Sequence, residues 1–213
     1  VRREGRLTSG QRRALTELLP EYAIGDTPGV LNLSEVFGNH HPAVVEVGFG
    51  NGSLLAVQAR HHADINFIGI EVYRPGIGHL LRLLDEQDSH NVRIFIQDAM
   101  EVLTSRIPAH SLYALWLYFP DPWPKRKHHK RRLVNQKFLD LVAGLLLPGG
   151  VLHMTTDWPG YAEHMKTEIL VNHQYESVNA WQAKYPFIRP KTRFERRGLH
   201  KGHTIHDLLY RLK

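Results

Sequence analysis

At 213 residues, 42% hydrophobic and 23% charged, the chain is long enough to bury a core as one domain and too ordinary in composition to be disordered. It has no cysteine, which excludes disulfides and thiolate metal sites and is compatible with a reducing cytoplasm; its longest apolar runs are too short to cross a bilayer, and no signal-peptide pattern precedes them. The net charge of +6 is concentrated: residues 125–132 hold six Lys or Arg and no acid, equal to the whole excess, and residues 189–201 hold six more against Glu195 alone, a distribution that calls for a polyanionic partner on a defined face.

Residues 1–20 predict a basic lead and a short helix, with Thr8, Ser9 and Gly10 at its cap, Ala14, Leu15, Leu18 and Leu19 on its apolar side and Pro20 ending it. The Gly, Pro and Asn of 21–42 predict a connecting loop with one turn around 33–37, so 1–42 reads as an extension of a domain spanning 43–213. The chain opens on Val1 rather than methionine, and further residues are expected before it.

A β-branched run at 43–47 stops at Gly48-Phe49-Gly50-Asn51-Gly52, and 53–62 has helical spacing, giving strand, glycine loop, helix. The unit recurs. A strand at 67–70 ends in Glu71 and leads to a helix marked by Ile77, Leu80, Leu81 and Leu84; a third at 92–96 ends in Gln97-Asp98 before a helix at 99–105. This alternation implies a parallel sheet with helices on both faces, whose ligands sit at the carboxyl ends of the strands.

A fourth strand, 112–119, runs into Phe119-Pro120-Asp121-Pro122-Trp123-Pro124 and then the cationic run. Three prolines fix backbone angles and remove donors, so this piece is a stiff loop that continues neither helix nor central strand. Phe138, Leu139, Val142, Leu145 and Leu146 share a helical face that Pro148-Gly149-Gly150 ends. Strand five covers 151–156 and stops at Asp157, a helix covers 161–170, and strands six and seven are expected at 175–181 and 204–212. Between these last two, 183–203 is long, basic and rich in Pro and Gly, the profile of a functional loop.

Gly48, Gly50 and Gly52 allow close backbone approach to a ligand at the mouth of a helix. Glu71 could accept both hydroxyls of a ribose, Asp98 an adenine amino group, and Glu46 lies just inside the first strand. So many acids would repel a pyrophosphate; a ligand with a ribose, a free amine and a positive centre matches better. Set against this is a tight turn with surface acids.

On these residues the sequence resembles the bacterial tRNA (guanine-N7)-methyltransferases that use S-adenosylmethionine. The matching pieces are Glu46-Val47-Gly48-Phe49-Gly50-Asn51-Gly52, Gly69-Ile70-Glu71, Gln97-Asp98-Ala99, Phe119-Pro120-Asp121-Pro122-Trp123-Pro124-Lys125, Thr155-Thr156-Asp157 and Thr192-Arg193-Phe194-Glu195, spread over nearly the whole chain. The resemblance implies an α/β, Rossmann-like class I S-adenosylmethionine-dependent methyltransferase with a mostly parallel seven-stranded sheet and an antiparallel last strand. It implies cofactor contacts from Glu46, Gly48, Gly50, Gly52, Glu71, Asp98 and Asp121, with Asp121 catalytic. Substrate contacts fall to Lys125, Asp157, Thr192, Arg193, Phe194 and Glu195, and RNA contacts to Lys127, His128, His129, Lys130, Arg131 and Arg132. The implied partner is tRNA, methylated at the variable-loop guanine 46, with neither membrane nor metal involved.

The chemistry agrees. Guanine N7 has an in-plane lone pair and no proton, so it needs no general base, and a fixed carboxylate such as Asp121 can stabilise charge moving from sulfur to the purine. Arg193 and Glu195 could read the guanine edge. His128-His129 is not a metal pair, because adjacent side chains diverge among six cations. Trp116, Trp158 and Trp181 are expected in the core rather than as stacking platforms, and His153 packed or exposed rather than catalytic. Two other classes stay open on the residues alone. A dinucleotide-dependent oxidoreductase is opposed by Gly-x-Gly-x-Gly in place of Gly-x-Gly-x-x-Gly, and a non-catalytic RNA-binding protein by the full set of strand-end acids.

Overall fold

The computed structural model describes residues 5–25, 27–179, 185–187, 189, 195, 200 and 202–213. It is an α/β fold whose seven strands share one mixed sheet, built from two compact units that meet in sequence between Ser111 and Leu112. No helix among the described residues is long and apolar enough to cross a membrane.

The first unit contains α1 (Ser9–Glu17), α2 (Leu19–Tyr22), α3 (Leu33–Phe37), β1 (Ala43–Val47), α4 (Ser53–His61), β2 (Asn66–Ile70), α5 (Arg74–Glu86), β3 (Val92–Phe95) and α6 (Ala99–Ser105). Its strands run parallel in the order β3-β2-β1, with Val45 opposite Ile68 and Ile68 opposite Arg93. Every residue of β1 and β2 is buried, which is why these strands carry apolar residues on both faces rather than alternating, with Glu46 and Asn66 as polar exceptions. Ile77, Leu80, Leu81 and Leu84 of α5 are fully buried, as their spacing predicts.

Thr8 caps α1 in a capping box with Gln11, and Gln11 Nε2 also donates to the Pro75 carbonyl at 3.0 Å, fastening α1 to α5. Pro20 does more than end α1: it sits in the first turn of α2, where its missing N–H costs nothing. The segment after α2 is strapped along β3. Ile24 N–H donates to the Ile94 carbonyl, and the buried Arg106 donates to the carbonyls of Gly25 and Gly29. Residues expected to form a plain connection are thus held by long-range hydrogen bonds.

The second unit contains β4 (Leu112–Tyr118), a 3₁₀ helix (Arg126–Arg131), α7 (Gln136–Leu145), β5 (Leu146–Thr156), α8 (Pro159–Val171), β6 (Tyr175–Ser177) and β7 (His206–Leu212), with strand order β4-β5-β7-β6. β4 and β5 are parallel; β7 is antiparallel to both β5 and β6. β5 begins at Leu146, five residues earlier than the sequence suggests. Leu112 faces Leu146 but Ala114 faces Val151, so Pro148, Gly149 and Gly150 form an irregularity inside the strand rather than a stop before it. β6 ends at Ser177, and Trp181 lies outside the described residues, as does most of 183–203.

Candidate active site

In the first unit the site is built on the turn from β1 to α4. Gly48, Gly50 and Gly52 have φ of 70°, 60° and 71°, a left-handed sequence only glycine tolerates repeatedly. The loop also presses on the start of α5, where a Cβ on Gly76 would lie 1.8 Å from the Gly50 carbonyl oxygen. Glu71, one residue past β2, fastens this arrangement: Oε2 accepts the Gly50 N–H at 2.8 Å, and Oε1 accepts those of Val72 at 2.7 Å and Tyr73 at 3.0 Å. The expected ribose acceptor is therefore also the clasp of the glycine loop.

Glu46 is only 3% exposed and its Oε2 has no hydrogen-bond partner. Burial, with a smaller contribution from the charge of Glu71, pushes its carboxyl up from the ordinary 4.5 to about 8. A buried acid without a counter-charge is costly, and a cationic ligand would offset the cost. Asp98 is exposed and caps α6, with Oδ1 accepting from the Met100 and Glu101 amides at 2.9 and 3.3 Å. Capping commits one oxygen and leaves Oδ2 outside the cap.

In the second unit β4 ends in a strained turn. Phe119 and Trp123 have φ of 52° and 44°, although each is bulky and precedes a proline, positions that disfavour such angles. Two such residues cost on the order of 1–3 kcal/mol each and persist only where their surroundings enforce them. The surroundings are specific. Phe119 N–H donates to the Thr155 carbonyl at 2.9 Å; the Arg131 guanidinium stacks 4.9 Å above the Trp123 ring, and His128 meets that ring edge-on at 5.8 Å. Asp121 is exposed within this turn.

The cationic run is a 3₁₀ helix, in which residues three apart share a face. His128 and Arg131 face Trp123, His129 lies 3.4 Å from the Pro124 carbonyl, and Lys127 and Lys130 share the remaining, exposed face, with Lys125 and Arg126 exposed beside them. Arg132 departs from the expectation for the run. It is 6% exposed, its Nε donates to the Pro122 carbonyl at 3.0 Å, and its guanidinium covers the Tyr161 ring at 5.0 Å. It braces the proline turn from beneath instead of offering charge to solvent.

Asp157, at the end of β5, is one-third exposed and lies 3.0 Å from His203 Nδ1. Beside it Trp158 is 37% exposed, which corrects its assignment to the core; Trp116 is fully buried as expected. Glu195 is buried and ion-paired with Arg189, so its carboxylate is not an open acceptor for a base edge. Thr192, Arg193 and Phe194 lie outside the described residues. Arg189 was not singled out from the sequence; its guanidinium stands 5.8 Å from the Tyr118 ring and 5.9 Å from the Phe119 ring. One more cation in a basic cluster carries no spacing signal that would have marked it.

A methyltransferase family model, Methyltransf_4, matches residues 40–208. The tRNA (guanine-N(7)-)-methyltransferase of Alkalilimnicola ehrlichii is 49% identical over 214 residues, covering 99% of this chain and 90% of that protein; its counterpart from Halorhodospira halophila is 45% identical over 217 residues, covering 100% and 94%. Among solved structures, the 16S rRNA methyltransferase KamB matches with a TM-score of 0.59 at 12% identity over 90% of this chain and 99% of that one. The aminoglycoside resistance methyltransferase NpmB1 matches at 0.56 and 17% over 85% and 92%. At such identities these structures speak for the fold alone. The fold and the family match define a Rossmann-like class I S-adenosylmethionine-dependent methyltransferase. The unpartnered Oε2 of buried Glu46 suits the cationic cofactor of that class. The chain belongs to the bacterial tRNA (guanine-N7)-methyltransferase family.

Proposed function

We propose that this chain methylates N7 of a guanine in tRNA, at variable-loop position 46, with S-adenosylmethionine as methyl donor. The observation that carries the reading is Glu46, a buried acid beside the glycine loop with one oxygen unpartnered, which calls for a cation at a nucleoside-type site. Glu46, Glu71 and Asp98 would hold the cofactor together with Gly48, Gly50 and Gly52. The cofactor supplies an electrophilic methyl on a sulfonium. As the N7–methyl bond forms and the sulfur–methyl bond breaks, positive charge passes to the purine, and we assign Asp121 to stabilise it. No residue needs to remove a proton.

Lys125, Asp157 and the segment ending in Glu195 are assigned to the substrate, and Lys127, His128, His129, Lys130 and Arg131 to the RNA, with the exposed Lys127 and Lys130 as the principal phosphate contacts. Arg132 supports the turn, and Glu195 acts through its pairing with Arg189. We take 43–213 as the catalytic domain, 1–42 as its extension, and the cytoplasm as the place of work. The test is incubation with S-adenosylmethionine and bulk tRNA lacking the modification, followed by aniline cleavage and nucleoside mass spectrometry. A methyl group on an exocyclic amine, or none, would refute the reading.

A further inference from the structure

A polar cluster, buried except for the exposed Asp207, takes no part in the roles assigned above, and it centres on His153 in β5. The side chain is 7% exposed. Its Nδ1 is 2.8 Å from the Tyr118 hydroxyl and 3.1 Å from that of Tyr185, while Nε2 is 2.6 Å from Asp207 Oδ1. Both tyrosine rings meet the imidazole edge to face, at 4.9 and 5.4 Å. A carboxylate can only accept, so the Asp207 contact places a proton on Nε2. Asp207 stays ionised: burial acts to raise its carboxyl, but the hydrogen bond and charge of His153 and the charge of Arg189 together hold it below the usual carboxylate range.

The cluster joins parts of the second unit that carry different duties. Tyr118 is the last residue of β4, next to the strained Phe119 that opens the Asp121 turn. Tyr185 packs on Phe187, which packs in turn on Trp116. Asp207 lies 3.9 Å from Arg189, whose other partner is the buried Glu195 and whose guanidinium faces Tyr118 and Phe119. Removing the imidazole would take a partner from the Tyr118 and Tyr185 hydroxyls and from the Asp207 carboxylate at once, so this one side chain ties three parts of the second unit to a single geometry.

We propose that His153 is a positioning residue for methyl transfer. Through Tyr118 it fixes the strand end from which the Asp121 turn leaves, and through Asp207 it fixes Arg189 and its partner Glu195. The inference rests on the reading that Asp121 and Glu195 serve the reaction and its substrate.

The test compares His153→Phe, His153→Gln, Tyr185→Phe and Asp121→Ala in the full chain. The measurements are kcat, KM for tRNA, Kd for S-adenosylmethionine and melting temperature. His153→Phe is expected to lower kcat/KM for tRNA by about 10²-fold, since small misplacements at a reacting centre have that effect. Its cofactor Kd stays within about twofold. His153→Gln, whose amide reaches Asp207, recovers a large part of the loss. Tyr185→Phe removes one hydroxyl and answers the question if His153→Phe does not fold; it is expected to raise KM for tRNA with cofactor Kd unchanged. Wild-type kcat/KM in both His153→Phe and Tyr185→Phe, or a loss shared equally by cofactor affinity and melting temperature, overturns the proposal. Asp121→Ala separates the two failures. If it is inactive while the His153 variants are unimpaired, only the positioning role falls; if it turns over normally, the parent reading falls as well.

Discussion

Arg132 holds the carbonyl of Pro122 at 3.0 Å from a position only 6% exposed, so one member of the cationic run serves the proline turn and not the solvent. Arg132→Ala would leave the Pro122 carbonyl without that donor and uncover Tyr161, costing on the order of 1–3 kcal/mol of stability. Turnover is expected to fall by about tenfold or more as the turn loosens. Thermal denaturation and single-turnover rates check the two effects.

Asp121→Ala is expected to reduce kcat by about 10²- to 10³-fold, the usual loss when a preorganised electrostatic partner of a transition state is removed. Cofactor affinity should stay within severalfold, because the first unit retains Glu46 and Glu71. Calorimetry beside the methylation assay distinguishes this from loss of binding.

Glu46 gives a pH dependence with a definite sign. Its folded-state carboxyl lies near 8, above the ordinary 4.5, so the folded protein carries an extra proton between those values. The stability it contributes is fully present below about 4.5 and is lost as pH rises through about 8. A cationic cofactor favours the ionised acid, so below pH 8 binding should release up to about one proton and tighten as pH climbs. Calorimetry in buffers of different ionisation enthalpy measures that proton, and Glu46→Gln should abolish it.

Lys127 and Lys130 share the outward face of the 3₁₀ helix. Replacing both with alanine should lower the log-log salt slope of tRNA affinity by about 1 to 2, whereas Arg132→Ala should leave the slope unchanged. Binding titrations across a salt series decide it; equal slopes for all three proteins would remove these lysines from the interface.

Much of the first unit was legible because parallel strands buried on both faces are rich in Val, Ile and Phe without alternation, and because β1 stops at three glycines whose angles no other residue adopts cheaply. The start of β5 was not, since Pro148-Gly149-Gly150 has the composition of a terminator and only pairing with β4 shows it taken up as an irregularity. Arg132 could not be told from its neighbours, because inward and outward cations look alike in a run until the 3₁₀ phase and the position of Tyr161 are known. The acids at the strand ends were visible, but the second duties of Glu71 and Asp98, as loop clasp and helix cap, depend on backbone amides that a sequence does not display. The His153 cluster joins Tyr118, Tyr185 and Asp207 across long separations with no periodic trace.

At six residues the 3₁₀ helix is longer than such helices usually run, and it is held against Trp123, which His128 and Arg131 grip from one side. Quantity of charge and placement of charge are therefore separable in this protein. On the function proposed above, a chain lacking only the indole would keep the same net charge and draw RNA from a distance as strongly, yet its lysines would no longer stand in a fixed row, and the RNA would arrive without a unique seat.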